Sequence, residues 1–217
     1  YLLNTQQKKE NNSAEVFIEI SRDGLIRESS VRTKYLKRLR GHAAQKEIGI
    51  DSFQSKFLNY QSHLFISTVS GDFTEGAEWC DKLLDLFDSN PQMKKEMMRA
   101  YMIVLHNQII IINNLKRYTE LPSPFEALAA LKPSAPQLRN RLFYSSNNLL
   151  LTTLNDAGEF EKAYELMQRM QVRLKKGEVS WLNRQHETTH WYSASVSCFG
   201  CGKWKEANKF MQKILNA

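Results

Sequence analysis

The sequence predicts an all-α protein built from stacked antiparallel helix pairs, and three observations support this. First, a cluster with the frame glycine, any residue, aromatic, two polar residues and small residue occurs at residues 71–77, 158–163 and 202–207. Second, each cluster lies between two stretches with helical hydrophobic periodicity, which predicts the turn of a helical hairpin. Third, the chain has only 9 glycines and 5 prolines and little apolar–polar alternation, which favours helix over sheet.

The turn clusters are evenly spaced along the chain. Gly158 lies 87 residues after Gly71, and Gly202 lies 44 residues after Gly158. A degenerate turn at Lys116 divides the longer interval into 45 and 42 residues. This period predicts about four helix pairs over residues 53–217. Residues 1–52 are expected to form a polar segment and a helical lead-in, which could be a degenerate repeat.

The first half of the chain shows helix starts and stops in order. A helix is predicted from residue 25 to 40 and another from about 53 to 70. Asp72, with a glutamate three residues later, forms a start for the next helix that resembles a capping box. That helix ends at Asn90, and Pro91 begins a further helix at the first helical position, where proline is favoured.

The second half repeats this pattern of caps and helices. Ser123-Pro124 and Ser134-Ala135-Pro136 each predict a helix start. We expect a short helix to about residue 131, a long one to about 156, one from the Gly158 turn to Gly177, one from Ser180 to Phe199, and a last helix after Gly202.

The last helix pair resembles the tetratricopeptide repeat family. The residues that carry the resemblance are Trp191, Ala194, Ser195, Cys198, Gly202, Trp204, Ala207, Met211 and Ile214. The resemblance implies a right-handed α–α superhelix, an α-solenoid of stacked antiparallel helix pairs with a concave groove. The period departs from the family's value of about 34 residues, so we expect extended first helices. The turn aromatics Phe73, Phe160 and Trp204 are expected to wedge between neighbouring helices as core residues.

The resemblance further implies that the inner face of each first helix binds a protein or peptide. The matching positions are Gln61, Phe65, Thr68, His106, Ile110, Asn113, Asn148, Thr152, Asn155, Tyr192 and Val196. The asparagines could hydrogen-bond an extended peptide backbone, and the alternative is that these positions are only solvated helix faces. The family's clamp for carboxylates uses lysine at such places, and no lysine occurs there, so that specificity is not expected. The predicted function is therefore a non-catalytic protein-interaction scaffold.

The net charge of +7 suggests a second interpretation, a helical scaffold associated with nucleic acid. The basic residues are dispersed over many segments, and we interpret them as a solvated surface. Hydrophobic and charged contents of 42% and 24% fit a globular protein.

Two short motifs suggest metal chemistry. His186-Glu187-Thr188-Thr189-His190 matches the H-E-x-x-H zinc-hydrolase motif, which makes a zinc-dependent hydrolase the third interpretation. Its polar surroundings and the lack of an evident third ligand count against it. Cys198 and Cys201 form a single CxxC motif, whose thiols we interpret as packed in the core. We expect no catalytic residues, no metal and no cofactor.

Three cysteines give no disulfide framework, which favours a reducing compartment such as the cytoplasm. No run of 18 apolar residues predicts a membrane span. Because the chain begins without methionine, we expect it to be part of a longer protein.

Overall fold

A computed structural model describes residues 33–34, 36–37, 39–40, 52–181 and 183–216 of the chain. Every regular element in these residues is helical, which confirms the all-α class. The helices are α1 (Phe53–Ser70), α2 (Phe73–Asp88), α3 (Pro91–Glu96), α4 (Met98–Asn114), α5 (Pro122–Ala130), α6 (Pro136–Phe143), α7 (Leu149–Asp156), α8 (Phe160–Lys175), α9 (Arg184–Gly200) and α10 (Trp204–Leu215). A 3₁₀ turn covers Tyr118–Glu120, and a π-helical segment, Tyr144–Asn148, joins α6 to α7.

The predicted glycine turns are confirmed at helix ends. Gly71, Gly158 and Gly202 have φ angles of 78°, 74° and 69°, a conformation that glycine adopts without steric cost. In each turn the residue after the glycine donates its backbone N–H to the carbonyl five residues earlier, at 2.8–2.9 Å. Lys116 has the same left-handed conformation (φ 57°), and Arg117 donates to the carbonyl of Ile112 at 3.0 Å. The degenerate turn is therefore a turn of the same geometry without its glycine.

Four predicted helices differ from those in the structure. The single helix expected from Pro91 is wrong, because Met97 leaves the helical region (φ −110°, ψ 37°) and divides it. The short helix expected to begin at Pro124 begins at Pro122.

The other two differences lie in the second half of the chain. The long helix that follows Pro136 contains the π segment. The helix expected to begin at Ser180 begins at Arg184 instead. The backbone N–H of Ser180 donates to the side-chain oxygen of Asn140 at 3.1 Å.

The helix predicted over residues 25–40 lies mostly outside the described residues, of which 33–34, 36–37 and 39–40 are helical. The rest of the predicted segment 1–52 also lies outside them, except Ser52, which caps α1. The chain divides into two compact units, residues 1–97 with 114–116 and residues 98–113 with 117–217. The predicted boundary after residue 52 stays a prediction.

In the first unit, α1 and α2 form a hairpin around an aromatic core. Phe57 and Phe87 are buried, with ring centroids 5.8 Å apart. Leu64, Cys80 and Leu83 complete the buried contacts of the pair. Burial of such side chains stabilises the pair by roughly 1.5–3 kcal/mol for each large residue.

In the second unit, α6–α8 and α9–α10 share one core. Its buried residues are Phe143, Leu151, Ala163, Leu166, Met167, Met170, Val179, Ala194, Cys198 and Ala207. Phe160, at the start of α8, packs on Gly200 at the end of α9. A Cβ at Gly200 would lie 2.1 Å from the Phe160 ring. Tyr164 of α8 also donates a hydrogen bond to Glu206 of α10 at 2.9 Å.

The turn aromatics are not equally buried. Phe73 and Phe160 are half-buried, whereas Trp204 is 59% exposed and contacts Phe199 edge to face at 4.6 Å. The prediction that Trp204 is a core residue is therefore wrong. Phe160 has a following helix to pack on, and the described residues contain no corresponding helix for Trp204.

Candidate functional site

The residues predicted for a groove lie on the first helix of each pair. Gln61 and Phe65 are half-buried on α1 in the first unit. In the second unit, His106 and Asn113 are half-buried on α4, Thr152 is half-buried on α7, Asn148 and Asn155 are buried, and Tyr192 is 60% exposed on α9. Of these eight side chains, only that of Tyr192 is exposed.

The polar groups on these faces mainly join helices to one another. Asn155 donates to the carbonyl of Ser193 at 2.8 Å and accepts from the hydroxyl of Ser197 at 2.9 Å. Thr152 lies 3.1 Å from the hydroxyl of Ser193, and Asn113 donates to Asp156 at 2.7 Å. Much of the hydrogen-bonding capacity expected for a peptide is used here within the protein. A role of these residues in binding stays a prediction.

The π segment lies in a cluster of aromatic and basic side chains. The ring of Tyr144 stacks on His186 of α9, with centroids 3.7 Å apart. Nδ1 of His106 lies 3.2 Å from the hydroxyl of Ser145. Burial, with the nearby charge of Arg141, lowers the pKa of both histidines to about 4. Both imidazoles are therefore neutral at pH 7. An extra residue inserted into a helix often marks a functional position.

The two histidines of the H-E-x-x-H motif have different surroundings. His186 stacks on Tyr144, whereas His190 is fully buried, with Nε2 2.9 Å from the amide nitrogen of Gln171 and its ring 4.8 Å from that of Trp181. Within residues 33–34, 36–37, 39–40, 52–181 and 183–216, no group of three His, Cys, Asp or Glu residues is placed to hold a metal ion. The geometry gives the zinc interpretation no supporting third ligand.

The CxxC motif lies at the end of α9. Cys198 is buried in the shared core, and burial raises the pKa of its thiol to about 11. Burial also raises the pKa of the Cys201 thiol. A raised pKa lowers the fraction of a thiol that is present as the reactive thiolate at neutral pH.

A large apolar cleft opens beside α5, and we call it the α5 cleft. Its volume is about 1070 Å³, and its walls come from α5, from the extended residues that follow it, from α6–α7 and from α8. The half-buried side chains of Leu142, Leu150 and Leu154 line it, together with the buried Leu128 and Phe143. The cleft residues lie on the face of α7 opposite to Thr152, because positions 150, 154 and 157 are about half a turn away from position 152 on a helix.

The outer surface of the last hairpin carries a second apolar feature, which we call the terminal seam. Its members are Tyr192 and Phe199 of α9 and Trp204, Met211 and Leu215 of α10, each at least 41% exposed. The spacing of the last three places them on one stripe of α10. The Trp204–Phe199 contact and a 3.3 Å contact between the Ser195 hydroxyl and the Met211 sulfur link the two helices. Contiguous exposed apolar surface of this kind marks interaction sites.

Sequence reasoning missed both features. For the seam, the signal was the spacing of Trp204, Met211 and Leu215, which places them on one stripe of the last predicted helix. For the cleft, the signal was the short distance between Pro122 and Pro133, which limits α5 to 9 residues.

No protein-family model, no curated protein and no solved structure matches this chain. Among the described residues, no helix is both long and apolar enough to cross a membrane.

Proposed function

We propose that this chain is a non-catalytic protein-interaction module, a TPR-like solenoid of stacked helix pairs. Its partner would be an amphipathic helix, bound in the terminal seam. The helical class, the repeated turn geometry and the sharing of one core by two successive pairs in the second unit support the solenoid.

The observation that carries the proposal is a comparison inside the chain. Phe160, two residues after the turn glycine, packs on a neighbouring helix at Gly200. Trp204 has the same place relative to Gly202, yet it is 59% exposed. The chain's own packing therefore indicates what fits here: a helix with a small residue facing the indole. Aromatic anchors in such contacts often contribute 2 kcal/mol or more to binding.

The charge beside the seam indicates which helices would bind. Lys205 is exposed directly after Trp204, on the flank of the α10 stripe. The Glu206 side chain accepts the hydrogen bond of Tyr164, so it is engaged within the protein. A partner helix with acidic residues beside its apolar stripe would complement this flank and associate faster at low salt.

Photo-crosslinking tests the proposal. A photoreactive amino acid at position 204 should capture a partner, and the purified partner should bind the Trp204→Ala variant at least about 30-fold more weakly. Tyr118→Ala is the matched control, because Tyr118 is an exposed aromatic residue outside the seam. If both variants bind the partner equally well, the proposal that the partner binds at the terminal seam is wrong. RNA or DNA binding that falls steeply with salt and ignores Trp204→Ala would favour the nucleic-acid interpretation instead.

A cytoplasmic location belongs to the same proposal. Cys80, Cys198 and Cys201 form no disulfide within the described part of the chain, which supports the proposal of a reducing compartment.

A further inference from the structure

The α5 cleft has a structural origin in the length of α5. This helix has 9 residues, whereas α8 has 16. Leu131 is already extended (ψ 134°), and the proline at position 133 disfavours helix in the residue before it. α5 is therefore shorter than α8 by seven residues, about two helical turns, and the cleft lies beside it.

The cleft leaves apolar side chains uncovered that a close-packed core would cover, and apolar walls without contacts forfeit dispersion energy. Leu142, Leu150 and Leu154 line the cleft and are only half-buried. Ligand sites in proteins are typically apolar clefts of a few hundred to about 1000 Å³ with a few polar groups at the edge. The α5 cleft matches this description.

The charges at the rim indicate the head group of a ligand. Four cations and three carboxylates line the cleft. Lys162 pairs with Glu159 at 2.9 Å, and Arg173 pairs with Glu178 at 3.4 Å. Within each of these two pairs, the positive and the negative charge neutralise each other.

Two rim cations are left over beside a single carboxylate, that of Glu126. Neither Lys132 nor Arg139 has an ion-pair partner within the described parts of the chain. Arg139 donates one N–H to the carbonyl of Ser134, and a guanidinium has five such donors. The rim can therefore bind a negatively charged group where the apolar wall ends.

We propose that the α5 cleft binds an amphiphile with one long acyl chain and one carboxylate. The acyl chain lies against Leu142, Leu150 and Leu154, and the carboxylate lies at the rim near Lys132 and Arg139. This site does not depend on the terminal seam, because no seam residue lines the cleft.

A calorimetric series of straight-chain carboxylates tests the apolar part. The 217-residue chain is titrated with octanoate, decanoate, dodecanoate and tetradecanoate below their micelle concentrations. Each added CH₂ should tighten binding about twofold to fourfold, since burying one contributes about 0.8 kcal/mol at most. The heat-capacity change should be negative. Affinity that does not depend on chain length would overturn the proposal.

A second arm tests the head group. 1-Dodecanol and dodecylamine should bind about tenfold more weakly than dodecanoate, because they lose the charge-assisted hydrogen bonds. Lys132→Gln should reduce that preference, whereas Lys205→Gln, which removes an equal charge on α10, should not. Equal affinity for all three head groups would overturn the carboxylate assignment.

Filling the cleft supplies the last arm. Leu150→Trp should weaken dodecanoate binding at least tenfold. Circular dichroism reports whether the Leu150→Trp variant folds. If this variant does not fold, the surface variant Lys132→Gln still tests the site. Trp204→Ala should leave dodecanoate binding unchanged, so failure at the cleft and failure at the seam are separable. An unchanged affinity in a folded Leu150→Trp variant would place the ligand elsewhere.

Discussion

The turns at Gly158 and Gly202 have the same sequence frame and the same backbone geometry, yet their aromatic residues have different surroundings. Phe160 is half-buried on Gly200, whereas Trp204 is 59% exposed. The turn determines where the aromatic residue points, and the next helix determines whether it is buried. A repeat motif therefore predicts a packing position, while the function of that position depends on its place in the stack.

The largest expected effect comes from truncating the two aromatic residues separately. Phe160→Ala should lower the free energy of unfolding by about 2–3 kcal/mol, somewhat less than for a fully buried phenylalanine. Trp204→Ala should change it by less than about 0.5 kcal/mol, as for other exposed positions. Chemical denaturation of both variants measures the difference. Equal losses would mean that the two turns are not distinguished by burial.

The pH dependence of stability should differ between the two sides of α9. Its inner side carries the buried His190, and its outer side carries the exposed Tyr192. Burial, with a contribution from Lys213, lowers the pKa of His190 to about 4. The unfolded value is about 6.5, so the neutral form is favoured in the folded state. Stability should be full above pH 6.5 and fall as the pH is lowered towards 4, with on the order of 2 kcal/mol lost from His190.

Denaturation at pH 7.5, 6, 5 and 4 checks this prediction. His190→Gln should flatten the slope between pH 6.5 and 4. His106 and His186 have pKa values lowered in the same direction, so some slope should persist. A His190→Gln variant with an unchanged pH profile would contradict the assignment of the slope to this residue.

A smaller effect is expected at Gly200, the residue on which Phe160 packs. Gly200→Ala should destabilise the protein by about 1–2 kcal/mol, because the added methyl overlaps the Phe160 ring. Adding Phe160→Leu should recover part of the loss, and a double-mutant cycle measures the coupling. Additive effects of the two substitutions would show that the ring and the glycine are not in contact.

The helical class and the turn positions could be predicted because they depend on local signals. Hydrophobic periodicity and turn residues define a hairpin within about forty residues. Burial depends on contacts with other helices, and the local pattern around Trp204 is the same as that around Phe160, so the two residues could not be distinguished. Likewise, Asn148 and Asn155 are placed on the predicted helix, but their burial results from contacts with α9 and other helices that the sequence pattern does not specify.

The smallest expected effect extends the comparison to the turn that has no glycine. Lys116 adopts the left-handed conformation (φ 57°) that glycine adopts at the other turns. A non-glycine residue is strained there by roughly 1–2 kcal/mol, partly offset by the greater unfolded-state entropy of glycine. Lys116→Gly should therefore raise the free energy of unfolding by about 0.5–1 kcal/mol, measured by denaturation. Gly158→Ala is the reciprocal control and should lower it by a similar amount, because it introduces the strain that Lys116 already carries. A destabilised Lys116→Gly variant would mean that the lysine side chain contributes more than its backbone strain costs, and that this turn differs in kind from the three glycine turns.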